Sequence, residues 1–172
     1  MGKVSRRIVA DGWCYQVACA VRSDGVTSPV AEFLDRLADG LVDQDAAPDL
    51  EPDEQIRHLD WLEAAFKWLA EEGELPGMRS YNQLRDGIWE VKRFNLRITF
   101  YDTDGLGHYV KKIDFDGGGF WGKPPRFPEF DPFIRLTTAF VKAPETRWTP
   151  LSELAFAEAV RDEDVAHDRV RY

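Results

Sequence analysis

Charged side chains crowd into one short stretch of the chain, "LRDGIWEVKRFNLRITFYDTDG", at residues 84–105. An Asp-Gly turn opens this stretch, and two strand-like segments follow it, so the pattern predicts a β-hairpin. Because side chains alternate along a strand, Glu90 and Lys92 should lie on one side of the hairpin and the neighbouring apolar residues on the other. Arg97 follows the short connection and can reach either set.

A carboxylate and a guanidinium held together on rigid strands can perform phosphoryl transfer without a metal. The carboxylate takes the proton from an attacking hydroxyl, and the cation stabilises the charge that develops on phosphate. Glu90 and Arg97 are the candidates for these two roles. The same residue types also form salt-bridge ladders across half-exposed sheets, and spacing does not separate the two interpretations.

Other motifs in the chain carry less chemistry. "GGGFWGK", residues 117–123, has the spacing of a phosphate-binding loop. Pro124 stands where a hydroxyl should meet magnesium, and the following segment is too rich in proline to form the helix that holds the phosphates. Asp114 and Asp116 share a strand face without a third ligand, and no histidine pair has zinc spacing. The sequence therefore predicts neither a metal nor a cofactor.

Hydrophobic periodicity predicts an α+β fold with two N-terminal helices packed on a twisted antiparallel sheet of four or five strands, and a short C-terminal helix. The chain is expected to form a single domain over residues 1–172. The predicted elements are a strand at 12–21, helices at 28–40 and 53–72, strands around 80–84, 88–94, 96–102, 108–116 and 134–141, and a last helix opening with a Thr-Pro cap at Thr149.

Two segments interrupt this pattern. Residues 42–54 are acidic and carry two prolines, which favours an exposed linker between the helices. Residues 103–133 form an inserted segment whose aromatic residues include Phe120, Trp121, Phe127 and Phe130. These rings either pack against the sheet or offer nucleobases a stacking surface, and core packing is favoured over stacking.

Charge is distributed unevenly along the chain. The formal net charge is −9, which argues against a nucleic-acid partner. Residues 30–77, however, hold 14 acidic and 3 basic residues, whereas residues 79–150 hold 12 basic and 9 acidic residues. The sheet region can thus carry positive charge while the helical region carries the acid. No apolar run reaches the roughly 20 residues of a membrane span, and the N-terminus has no secretion signal, so a cytoplasmic protein is expected.

Four segments in the same order resemble the RelE/ParE superfamily of toxins, in particular its HigB-like, phage-derived branch. They are "LRDGIWEVK", "LRITFYD", "IRLTTAFVK" and "TPLSELAFAEA", and "SPVAEFLDRL" is similar to the first helix of that family. The resemblance covers roughly residues 13–160, apart from the inserted segment.

The resemblance implies a toxin of a type II toxin-antitoxin pair that cleaves mRNA in the ribosomal A site without a metal. In that family a 2′-hydroxyl attacks the adjacent phosphate and leaves a 2′,3′-cyclic end. Glu90 would be the general base and Arg97 the residue that stabilises phosphate, while Lys92, Arg85 and Lys142 would bind RNA. The implied partners are the ribosome, mRNA and a cognate antitoxin, a small helix-turn-helix protein, with no small-molecule cofactor and no membrane.

A second hypothesis from another class is kept alongside the enzyme. A catalytically silent member of the same fold would act only by binding a protein, such as gyrase, or in an accessory role for a phage. The acidity of the chain, the long insertion and Ala143, which stands where the family has a second lysine, favour this alternative.

Overall fold

A six-stranded mixed sheet forms the centre of the protein in the computed structural model, which describes residues 3–42, 50–77, 80–112 and 127–169. The strands are β1 (Ile8–Asp11), β2 (Gln16–Cys19), β3 (Tyr81–Gln83), β4 (Trp89–Arg93), β5 (Leu96–Thr103) and β6 (Phe133–Val141), and the helices are α1 (Pro29–Ala38), α2 (Pro52–Glu72) and α3 (Leu151–Ala166). The sheet order is β1-β2-β6-β5-β4-β3. The predicted α+β class is confirmed at this level.

The sheet differs from the prediction in its number of strands and in one pairing. β1 was not predicted, and β2 pairs with β6 in parallel, with Val17 opposite Ile134, whereas the other neighbouring strands are antiparallel. Local alternation identifies a strand but carries no information on its distant partner, which is why a purely antiparallel sheet was the wrong prediction. Residues 108–112 form no strand, and the rest of the strand predicted at 108–116 lies outside the described residues.

The two N-terminal helices cover one face of the sheet, as predicted. Ser28 caps α1 by accepting a hydrogen bond from the Ala31 amide, and Pro29 occupies the first turn, where no amide donor is needed. α2 ends at Gly73, whose φ of 83° terminates the helix in the left-handed conformation. Apolar stripes from both helices meet the sheet in the main core. We call the face of the sheet that they cover the inner face.

α3 packs on the opposite face, which we call the outer face. It runs for 16 residues, so the prediction of a short C-terminal helix was wrong. Side chains alternate along β5, so this strand contributes to the core on both faces of the sheet. Ile98 and Phe100 enter the main core on the inner face. Tyr101 packs with Leu154 and Ala157 of α3 on the outer face. None of the described helices is long and apolar enough to cross a membrane.

The two interrupting segments are only partly described. Within the predicted linker, Pro52, Asp53 and Glu54 belong to the first turn of α2, and residues 43–49 lie outside the described residues. In the inserted segment, Thr103 ends β5 and Phe133 begins β6, and residues 113–126, with Phe120 and Trp121, lie outside the described residues.

The aromatic residues that follow pack against the inner face rather than standing free. The ring of Phe130 makes edge contacts with Trp89 and Phe100, at centroid distances of 5.2 and 5.5 Å, and Phe127 packs beside it. Core packing, the favoured interpretation of these rings, is therefore confirmed for Phe127 and Phe130.

Candidate functional site

The register of the β4–β5 hairpin brings Glu90, Lys92 and Arg97 together on the outer face. Glu90 lies opposite Thr99, and Lys92 lies opposite Arg97. The residues between them, such as Val91, point into the main core. The alternation predicted from the sequence is confirmed, and it places the candidate catalytic pair on the side of the sheet away from α1 and α2.

Glu90 is a buried carboxylate with hydrogen bonds to both oxygens. Only 1% of the residue is exposed. Asn82 donates its side-chain amide to Oε1 at 3.1 Å, and the Thr149 hydroxyl donates to Oε2 at 2.9 Å. Both donors are neutral, so the negative charge of an ionised Glu90 is not cancelled by them.

Arg97 is the cation beside that carboxylate, although its contact with it is loose. Its Nε lies 3.8 Å from Oε1 of Glu90 and has no hydrogen-bond partner, while Nη1 donates to the backbone carbonyls of Phe94 and Leu96. Burial lowers the pKa of the Arg97 guanidinium from its ordinary value, and the attraction of Glu90 offsets only part of that effect. The Nε donor facing Glu90 is therefore buried without a hydrogen-bond partner.

Three threonines lie beside the pair where β5 and β6 lose their regular register. The pairing shifts between Ile98 and Phe100, so that Thr99 faces both Thr137 and Thr138. The Thr99 hydroxyl lies 2.6 Å from that of Thr137 and 2.7 Å from that of Thr138. This buried hydroxyl cluster fixes the strand that carries Arg97.

The three predicted RNA-binding residues lie at different distances from the pair in the fold. Lys92 shares its register position with Arg97. Lys142 follows β6, where its amide donates to the Asn95 carbonyl and its Nζ donates to the Arg147 carbonyl at 2.9 Å. Arg85 instead forms an ion pair with Glu158 of α3 at 2.6 Å. Lys92 therefore lies beside Glu90 and Arg97, and Lys142 lies near the turn of the hairpin. Arg85 is paired with α3 instead.

Residues 142–150, which we call the β6–α3 loop, carry the contact that closes the site. Thr149 was predicted to cap the last helix, but the cap position is Pro150 without any side-chain hydrogen bond, because the Thr149 hydroxyl is directed to Glu90. Next to it the Trp148 ring is 73% exposed, with the Arg147 guanidinium 5.1 Å from its centroid. The loop therefore covers Glu90 and presents an aromatic ring to solvent.

Sequence reasoning missed Asn82 and Thr149, the two donors to Glu90. Asn82 could have been found, because it lies on the predicted strand 80–84, which the Asp86-Gly87 turn pairs with the strand of Glu90. Thr149 had a stronger local explanation as a helix cap, and its true contact is made with a residue far away in the chain.

A second buried carboxylate, Asp164, lies under α3 on the same face. It accepts hydrogen bonds from Arg6 Nε at 2.8 Å, from the Val21 amide at 2.8 Å and from the Tyr101 hydroxyl at 2.6 Å. Burial and the neighbouring Asp164 raise the pKa of Tyr101 above its ordinary value, so this hydroxyl stays protonated. The cluster joins the N-terminal segment, the residues after β2, β5 and α3.

In comparisons with known proteins, no protein-family model matches the chain and no curated protein matches it. Within the described ranges, no group of three or more His, Cys, Asp or Glu residues is arranged to hold a metal ion. Asp114 and Asp116, which share a face of the strand predicted at 108–116, lie outside those ranges. The candidate site therefore consists of the buried carboxylate of Glu90 and the guanidinium of Arg97, whose Nε has no hydrogen-bond partner.

Proposed function

We propose that this protein is a metal-free endoribonuclease that cleaves mRNA on the ribosome, as the toxin of a type II toxin-antitoxin pair. The observation that carries the proposal is the placement of Glu90 and Arg97 on one face of a rigid hairpin, with 3.8 Å between carboxylate and guanidinium. Its partners would be the ribosome, mRNA and a small helix-turn-helix antitoxin, in the cytoplasm. The resemblance to the RelE/ParE superfamily supports the same assignment.

The proposed reaction uses the two side chains in complementary roles. The Glu90 carboxylate takes the proton of a ribose 2′-hydroxyl, whose oxygen then attacks the adjacent phosphorus. The bond to the 5′-oxygen of the next nucleotide breaks, which leaves a 2′,3′-cyclic phosphate on one product, and the departing oxygen takes a proton from water to become the 5′-hydroxyl of the other. Once the site opens, Arg97 contacts the non-bridging oxygens, where negative charge accumulates, through Nε, which is buried without a partner in the free protein. Lys92 adds positive charge beside it.

Access to Glu90 requires the β6–α3 loop to move. A general base has to come within hydrogen-bond reach of the proton that it removes, and Glu90 is buried under Thr149. RNA binding would replace the Thr149 hydroxyl by the 2′-hydroxyl of the substrate, which is also a neutral donor. The Asn82 hydrogen bond can persist during this exchange and keep the carboxylate oriented.

The burial of Glu90 also supports a second candidate. If the loop stays closed, the carboxylate is a structural acceptor for Asn82 and Thr149, and the protein is a catalytically silent module that acts by binding another protein. The exposed Trp148 and Leu151 at the start of α3 would then belong to a protein interface.

Primer extension on mRNA in a purified translation system tests the proposal. Wild type should give codon-phased cuts, and Glu90→Gln and Arg97→Ala should each lower the cleavage rate by on the order of a hundredfold. Glu145→Gln is the matched control, because it removes an exposed carboxylate from the β6–α3 loop and should leave cleavage unchanged. If folded wild type, free of antitoxin, cuts nothing, the silent binding module replaces the enzyme.

A further inference from the structure

A cavity of about 450 Å³ lies between the start of α2 and the β4–β5 turn, apart from Glu90. Among the described residues its lining consists of Leu50, Glu54, His58, Phe94 and Asn95. Its volume falls in the range of small-molecule sites, and its lining combines apolar surface with a few polar groups, as such sites do.

His58 contributes a buried ring nitrogen that has no partner. Only 6% of the residue is exposed, and Nδ1 makes no hydrogen bond. Burial, together with the positive charge of Arg93, lowers the pKa of His58 from its ordinary value, so the ring is neutral at neutral pH. A buried polar atom left unpaired destabilises the fold, and a ligand that hydrogen-bonds to Nδ1 after the ring turns toward the cavity removes that cost.

Phe94 supplies an aromatic surface at the mouth of the cavity. Its ring is 71% exposed although it stands beside the core, and its backbone has a φ of 49°, which is unfavourable for a residue with a side chain. The Arg93 guanidinium lies 4.7 Å from the centroid of Phe94 and 4.6 Å from that of Trp61, so it packs between the two rings. The exposed ring is thus held in place rather than free to collapse.

Asn95 and Glu54 add hydrogen-bonding groups of both kinds. The Asn95 side chain offers one donor and one acceptor, and it makes no hydrogen bond within the described part of the chain. The Glu54 carboxylate accepts hydrogen bonds, and its negative charge disfavours a phosphate inside the cavity. An aromatic face beside an amide and a carboxylate is the combination that proteins use to stack an unpaired base and read its edge.

We propose that this cavity binds one nucleobase, which stacks on Phe94 and hydrogen-bonds to Asn95 and His58, with its sugar and phosphate outside. The base can belong to a free nucleoside or to a single-stranded RNA. Arg97 donates to the carbonyl of Phe94, so the cavity and the Glu90–Arg97 pair adjoin the same β4–β5 turn from opposite sides of the sheet. Base binding itself does not depend on the cleavage reaction and can be measured without ribosomes.

Two-dimensional ¹H–¹⁵N NMR titration of the full chain tests the proposal with four nucleosides (adenosine, guanosine, cytidine and uridine) and with four short single-stranded RNAs of one base each. At least one ligand should shift the amide signals of Phe94, Asn95 and His58 and saturate. Phe94→Leu, which keeps an apolar side chain but removes the stacking ring, should weaken binding about tenfold. If both nucleosides and RNA saturate the shifts, a single nucleoside is enough for binding. If only RNA saturates them, the cavity binds a base that belongs to a strand.

Trp13→Leu is the matched control, because it removes a 93% exposed aromatic ring from another part of the surface and should leave the dissociation constant unchanged. Asn95→Ala gives a second variant if Phe94→Leu does not fold, and it should weaken binding and reduce the preference between bases. The proposal is overturned if no ligand shifts these signals at millimolar concentration, or if Phe94→Leu and Trp13→Leu weaken binding equally.

Discussion

Two buried carboxylates lie on the outer face of the sheet, and their surroundings differ in one respect. Asp164 accepts from the charged Arg6 at 2.8 Å, whereas Glu90 accepts from the neutral Asn82 and Thr149, with its nearest cation at 3.8 Å. At Asp164 a cation neutralises the carboxylate inside the fold. At Glu90 the two donors leave the charge of the carboxylate uncancelled, and the buried Nε of Arg97 has no hydrogen-bond partner. The comparison shows Asp164 as a paired structural group and supports the proposal that Glu90 takes part in a reaction.

The largest expected effect comes from neutralising each carboxylate with its amide. Asp164→Asn removes one of the two buried carboxylates that pair with Arg6, leaving Asp168 at 3.0 Å, and should lower the free energy of unfolding by about 3–5 kcal/mol. Glu90→Gln keeps an acceptor oxygen beside the neutral donors Asn82 and Thr149 and should lower the free energy of unfolding by less than about 1 kcal/mol. Urea denaturation of both variants measures the difference, and equal losses would remove the distinction between the two sites.

A third buried carboxylate, Asp102, gives a pH-dependent effect of intermediate size. Burial raises its pKa to about 6, against 3.8 ordinarily, although the Asp131 amide and Lys112 oppose the shift. A carboxyl with a raised pKa stabilises the fold below its unfolded-state pKa, and this contribution is lost as the pH rises through about 6. Asp102→Asn should therefore unfold like wild type near pH 4 and be more stable by about 2–3 kcal/mol near pH 8.

Urea midpoints of wild type and Asp102→Asn across this range measure that contribution. Lys112 and Asp131 stand on either side of residues 113–126 and both approach Asp102, at 3.7 Å for Lys112 Nζ and 2.6 Å for the Asp131 amide. A stability difference that stays constant with pH would mean that Asp102 does not titrate in this range.

The smallest effect concerns the hydrogen bond that closes the loop over Glu90. Thr149→Val removes the hydroxyl and should cost about 1 kcal/mol of stability. If cleavage requires the loop to open, the same change should raise the cleavage rate by up to about fivefold, since 1.4 kcal/mol corresponds to a factor of ten. Thr146→Val is the control on the same loop, and a fall in the cleavage rate with Thr149→Val alone would show that this hydroxyl assists the reaction.

Sequence patterns predicted the hairpin that carries Glu90 and Arg97, because alternation along a strand fixes the face on which each residue lies. They also predicted α1 and α2, whose caps and apolar stripes are local features. They failed for the β2–β6 pairing and for Thr149, because both depend on residues distant in the chain. The neutral surroundings of the Glu90 carboxylate could not be predicted either, since they depend on which donors the fold brings to it.

The parallel pairing of β2 with β6 has a consequence for how the chain folds during synthesis. β2 is complete by Cys19, but its neighbour begins at Phe133, so more than a hundred residues must be synthesised in between before this pair can form. Closing so long a loop slows folding. Until then β1 and β2 expose an open hydrophobic edge, and the outer face cannot assemble. Newly made chains acquire their site only after β6 and Thr149 have been synthesised.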